Sequence, residues 1–202
     1  MSPTTTPLSN EPAPATPPPA LDAERADLLA ALGTARAALL NAVRGLDDDR
    51  IGERPTASDL CLGGLIKHVT SMEAGWLRFV VEGPSAMRFD LPDGVTWAEV
   101  TAGTAREFPQ WAIDHRNDFQ VASGETVAGI LARYEQVAAR TEEIVRAVPD
   151  LSATHAAPDA PWSEPGGVLS VRGTLLHVIA ETAQHAGHAD ILRETLDGQK
   201  ST

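Results

Sequence analysis

The chain has 202 residues, 43% of them hydrophobic, and its 16 basic against 28 acidic side chains leave a formal net charge of -12. That length suits one domain with a substantial core, and the charge disfavours a nucleic-acid partner, because phosphate recognition needs a basic face and no basic cluster occurs. A single cysteine, Cys61, excludes an internal disulfide framework, and no apolar run is long enough to span a bilayer. The start, MSPTTTPLSNEPAPATPPPA, lacks the basic and apolar stretches of a secretory signal, so a soluble cytoplasmic protein is expected.

Residues 1–20 read as an extended, mobile Pro/Thr/Ala tail, since prolines withhold amide donors and nothing there builds a core. The domain is expected over 21–198. A first helix is predicted from Leu21 to about Leu46, with Leu28, Leu32, Leu39, Val43 and Leu46 at three-and-four spacing. Asp47, Asp48 and Asp49 then read as a solvated helix exit. Ser58 is the predicted cap of a second helix over about 59–81, whose stripe runs Leu62, Leu65, Ile66, Val69, Met72 and Trp76. His68 projects from the buried face of this helix or its edge, with Glu73 nearer the rim. Gly83-Pro84 closes it.

From Ser85 to Gly124 no periodicity is sustained, apart from a short helix over about 97–111 that Thr96 and Glu99 would cap reciprocally. A connection this long inside one domain is usually functional. A third helix is predicted over about 126–148. A second loop follows, and Ser170 caps a fourth helix that ends at Asp197-Gly198. No strand pattern stands out, so the expected architecture is an all-α four-helix bundle with a long loop between helices two and three.

The fourth helix carries His177, Glu181, His185 and His188 within RGTLLHVIAETAQHAGHADILRE. At about 100° per residue, Glu181 and His185 are separated by about 40° around the axis, and His188 returns to within about 20° of Glu181. Beside this stripe lie Leu175, Val178, Ile179, Thr182, Ala186 and Ala189, so it sits at the edge of the buried face or lines a cavity. A carboxylate and imidazoles there must be paired with one another or hold an ion, because burying them without partners costs several kcal/mol. Catalytic zinc takes three protein ligands and an open position. The most promising third donor is His68. His115 and His155 fall in predicted loops and are weaker candidates, and His177 reads as structural.

The set of His68 on helix two with Glu181 and His185 on helix four resembles the DinB-like superfamily of metal-binding four-helix bundles. The segment H-A-G-H at 185–188 is similar to the H-x-G-Q string of that family, and Glu at 181 is similar to its mycothiol-dependent maleylpyruvate isomerase branch. LGGLIKHVTSMEAGWL and ETAQHAGHADILRETLDG look like an actinobacterial subgroup of it, and the resemblance covers about Leu21 to Gly198.

The resemblance implies a divalent ion, zinc first and nickel or iron next, held by His68, Glu181 and His185. His188 stands where the family often has Gln, and is expected as a catalytic proton shuttle, a fourth ligand or an outer hydrogen-bond partner. The implied reaction is an S-transfer or isomerisation in which the metal activates a mycothiol-type thiolate toward a small electrophile. Trp97 and Trp111 would provide apolar walls, and Arg78, Arg88 and Arg116 are candidate carboxylate anchors. Cys61 reads as a packing residue. Bundles of this type often pair, so a homodimer is also expected. The alternatives are a metal-dependent hydrolase with Glu73 or His188 as general base, and a non-enzymatic metal- or ligand-binding stress protein.

Overall fold

The computed structural model describes residues 21–200; the predicted tail at 1–20 lies outside the described residues. Among the described residues there are six α-helices: α1 (Ala23–Asn41), α2 (Leu62–Glu82), α3 (Trp97–Ala102), α4 (Gln110–Asp118), α5 (Val127–Ala147) and α6 (Val171–Asp197). The long helices α1, α2, α5 and α6 form the expected helical bundle. In it α1 packs on α6, and α2 packs on both α5 and α6. Among the described residues no helix is long and apolar enough to cross a membrane.

The core is split into two apolar clusters. One gathers Leu39 and Val43 with Leu62, Leu65 and Ile66, Ile130 and Tyr134, and Ala186 and Leu192. The other gathers Leu32, Leu77 and Val80, Ile144 and Val145, and Leu175 and Val178. Read along each helix, α1 and α6 run from the second cluster to the first, whereas α2 and α5 run from the first to the second. Two consecutive long helices are therefore parallel, and the chain must return along a bundle about 30 Å long between them. That return is the reason for the long connection between α2 and α5.

Between the clusters each long helix contributes a polar residue: Arg36, Glu73, Thr141 and Thr182. Glu73 was expected near the rim, but its side chain is fully buried and forms a salt bridge to Arg36. Arg36 Nε also donates to Glu73 Oε2 at 3.3 Å, and the Thr141 hydroxyl donates to Oε1. The helical pattern of α2 rotates position 73 onto the face that meets α1 and α5, so the carboxylate had to find partners there.

Several helix ends differ from the sequence expectation. α1 stops at Asn41 and the chain continues in turns to Gly45, which has a positive φ of 69°. α2 begins at Leu62 rather than after Ser58. Cys61 is its capping position without a side-chain cap, and Ser58 Oγ instead accepts from Leu60 N at 3.2 Å. The backbone groups there are held otherwise, because Gly63 N donates to Ile51 O at 2.9 Å. Cys61 itself is buried, as a packing residue should be. Asp48 does more than meet solvent, since its Oδ1 accepts from Val127 N at 2.7 Å and ties the α1–α2 turn to the start of α5. The predicted cap Ser170 is present, accepting from Gly173 N, and Thr126, where the third helix was expected to begin, is itself a cap that accepts from Gly129 N.

The connections hold more regular structure than periodicity indicated. The expected helix over 97–111 is two helices: α3, with the Thr96–Glu99 capping box, and α4, which opens after Pro109. The loop before α6 carries an antiparallel strand pair, Thr154–Ala156 with Val168–Ser170, in which His155 lies opposite Leu169. Three-residue strands are too short to show alternation.

Candidate metal centre and adjoining cavity

Four residues ahead of His68, one helical turn earlier on the same face of α2, stands Gly64. A Cβ at this position would lie 2.2 Å from the carbonyl oxygen of Phe119. The missing side chain lets the end of α4 rest directly on α2. Lys67 Nζ adds a tie, donating to Gln120 O at 2.7 Å, and Ser71 Oγ donates to Asp118 Oδ1 at 3.0 Å. This docking lays the Phe119 ring on the His68 imidazole, with centroids 4.1 Å apart and planes inclined by 21°.

His68 faces α6 across the bundle. Its ring meets that of His185 edge-on with centroids 4.8 Å apart. The donor atoms of His68, Glu181 and His185 all lie within 4.8 Å of one another, and His185 Nε2 is 3.7 Å from Glu181 Oε2. Tetrahedral zinc with bonds of about 2.1 Å sets its ligand atoms about 3.4 Å apart, so small side-chain rotations would bring these three to one ion. The group is therefore able to hold a metal ion.

The electrostatics fit a cation ligand set. Burial pushes the His68 pKa down to about 3, with smaller contributions from His185 and His115. Its Nδ1 is buried without a hydrogen-bond partner. Burial also lowers the pKa of His185, opposed by the Glu181 carboxylate and aided by His188. Both rings thus favour the neutral form that a metal requires. Glu181 is half-buried, and among the described residues its one ion-pair contact is the His185 ring.

The remaining histidines separate clearly. His188 is exposed and its Nδ1 lies 3.4 Å from His185 Nδ1, on the far side of that ring from Glu181. His177 is exposed and meets the Trp76 ring edge-on at 4.8 Å. His155, expected in a loop, is on a strand, and its Nε2 is 3.1 Å from the Val80 carbonyl. His115, also expected in a loop, is on α4 and packs edge-on against His68 with centroids 5.3 Å apart. His115 and Phe119 are the site neighbours that sequence reasoning undervalued. The available signal was their spacing of four, one helical turn apart on a shared face.

His115 and Phe119 also line a cavity of about 700 Å³ beside the histidine cluster. Trp97, Trp111 and Trp162 contribute to its walls, and Arg116 stands at its edge. Of the other arginines considered as anchors, Arg88 pairs with Asp90 at 3.5 Å and Arg78 lines a separate shallow pocket between α2 and α5.

The model of the mycothiol S-transferase family matches residues 27–198, nearly the whole of the described bundle. The chain belongs to that family. It is a family of the DinB-like superfamily, so the superfamily resemblance seen in the sequence holds. No curated protein matches the chain at a significant level. Membership implies a thiol partner of the mycothiol type, and the His–Glu–His group in this transferase-family bundle is placed where two helices can share an ion.

Proposed function

We propose that this protein holds a divalent metal ion on His68, Glu181 and His185 and transfers a mycothiol-type thiol to a small electrophile. The observation that carries the reading is the convergence of three donors from two helices, in a chain of the mycothiol S-transferase family. A divalent ion at this position would supply positive charge that favours the thiolate over the thiol near neutral pH. The carboxylate of Glu181 tempers that charge, while the neutral imidazoles of His68 and His185 keep it net positive. Zinc fits a set of two imidazoles and one carboxylate, and nickel and iron accept the same donors.

The protein's own groups do the rest. Phe119 covers one face of His68 and keeps water from it. His188 meets the nitrogen of His185 that faces away from Glu181, so it orients that ring and fixes its tautomer. Of the three roles open to His188 from the sequence, this contact supports the outer hydrogen-bond partner, a positioning residue. The transfer itself forms a carbon–sulfur bond from the thiolate, and the electrophile either loses a leaving group or takes up a proton. The hydrolytic alternative loses one of its two candidate bases, because Glu73 is committed to Arg36 and Thr141 away from solvent.

Elemental analysis of the purified protein beside its His185→Ala variant tests the ligand set. Wild type is expected to retain stoichiometric metal and the variant almost none, while equal metal in both sinks the assignment. His188→Ala is expected to weaken metal affinity by about 10–100-fold, with His188→Gln recovering part of the loss. Consumption of electrophile only when thiol is supplied separates transfer from hydrolysis.

A further inference from the structure

The cavity beside the histidine cluster has a composition unlike the rest of the chain. The sequence holds four Trp, four Phe and one Tyr, and five of these nine rings line this one cavity: Trp97, Phe108, Trp111, Phe119 and Trp162. Its volume of about 700 Å³ is in the range of small-molecule sites. The indoles are braced from behind, because Phe89 packs on Trp111 at 5.4 Å and on Trp162 at 5.1 Å between ring centroids. Trp111 is further fixed by its Nε1, which donates to Asp90 O at 3.1 Å. Trp162 nevertheless leaves 61% of its surface in water. A braced indole exposed to that extent beside a cavity is surface available to a ligand.

Charge narrows the ligand further. Of the cavity's charged side chains, Arg54 is 3.7 Å from Asp59 and so is offset. Arg116 makes no ion pair among the described residues, and its guanidinium lies over the Phe108 ring at 4.8 Å. Stacking on one side leaves its in-plane N–H groups open, the geometry that accepts a carboxylate or sulfonate. The α4 wall reaches the candidate metal centre, since His115 and Phe119 both touch the His68 ring.

We propose that this cavity is the acceptor site and that it takes a planar aromatic electrophile bearing an anionic group, with the indoles of Trp97, Trp111 and Trp162 against its rings and Arg116 on its charge. The identification of the occupant as the acceptor rests on the S-transfer reading above; the cavity's preference for an aromatic anion does not. Arg116 is one residue beyond His115 on α4, so a ligand anchored there lies beside the wall that touches His68.

Binding can be read without turnover, because three of the four tryptophans belong to the wall. The full chain is titrated with 2-naphthoate, with its neutral counterpart 2-naphthalenemethanol, and with cyclohexanecarboxylate, following tryptophan emission. Saturable quenching by naphthoate is expected, at least about tenfold tighter than either of the other two. Arg116→Gln, an exposed position that should not disturb folding, is expected to abolish the advantage of naphthoate over the alcohol. Trp111→Ala is expected to weaken both aromatic ligands, with circular dichroism reporting that the helices remain. No saturable quenching overturns the proposal, and so does cyclohexanecarboxylate or the alcohol binding as tightly as naphthoate. Retention of naphthoate binding in His185→Ala separates this cavity from direct coordination at the metal centre; its loss there would overturn the assignment to Arg116. Naphthoate bound by a protein that purifies without metal would leave the cavity standing and sink the metal reading. The reverse result would do the opposite.

Discussion

Two inward-facing glutamates, one fully buried and one half-buried, have opposite surroundings. Glu73 on α2 meets Arg36 from α1 and Thr141 from α5, and its charge is answered within the protein. Glu181 on α6 meets an imidazole whose own pKa is depressed, and a second buried imidazole waits across the bundle with a nitrogen that has no partner. The first cluster is complete, so it holds the helices together. The second pairs a carboxylate with an imidazole and sets a partnerless imidazole nitrogen nearby, donors that the proposed ion would use. Buried polarity alone does not reveal function; whether the polarity is already satisfied does.

The largest expected effect falls on the satisfied cluster. Glu73→Ala strands the Arg36 guanidinium in the core and should lower unfolding stability by about 3–5 kcal/mol, read from urea denaturation. A loss below about 1 kcal/mol would mean that the pair is spectator to the packing around it. The unsatisfied cluster should instead register in pH. His68 has a folded pKa of about 3, below the ordinary value of about 6.5. Above about pH 6.5 neither the folded nor the unfolded chain protonates this ring, so its environment costs nothing extra. As pH falls below that value the unfolded chain takes up the proton first, and the metal-free protein should lose about 1.4 kcal/mol per pH unit from this group. His68→Gln should remove that part of the slope; an unchanged slope would mean that position 68 is not shielded as described. The smallest effect concerns the docking that shields it. Gly64→Ala places a Cβ against the Phe119 carbonyl and should cost about 1–3 kcal/mol. It should also open His68 to solvent, seen by nuclear magnetic resonance as a rise in its pKa toward the ordinary range.

Much of the bundle was legible in the sequence because long amphipathic helices repeat their apolar positions many times. The cap at Ser170 and the Thr96–Glu99 box were legible because each depends on residues three apart. What escaped notice is non-local. Glu73 looked like a rim residue because no sequence pattern announces that Arg36, thirty-seven positions earlier, will meet it. His115 looked like a loop residue because a nine-residue helix has only about two and a half turns in which to show a pattern. The short strand pair around His155 showed none at all.

By itself, then, the sequence determined that four long helices form, that Glu181 and His185 share a face, and that His68 looks inward, since each follows from the turn of a single helix. Only the tertiary structure decided which inward-facing carboxylate was neutralised and which was left available, and that α4 would carry His115 and an aromatic wall to the side of His68. Those outcomes depend on the parallel course of α2 and α5 and on one glycine that lets a returning segment touch a helix. Contacts between residues distant in the chain are set by packing, and packing leaves no periodic trace.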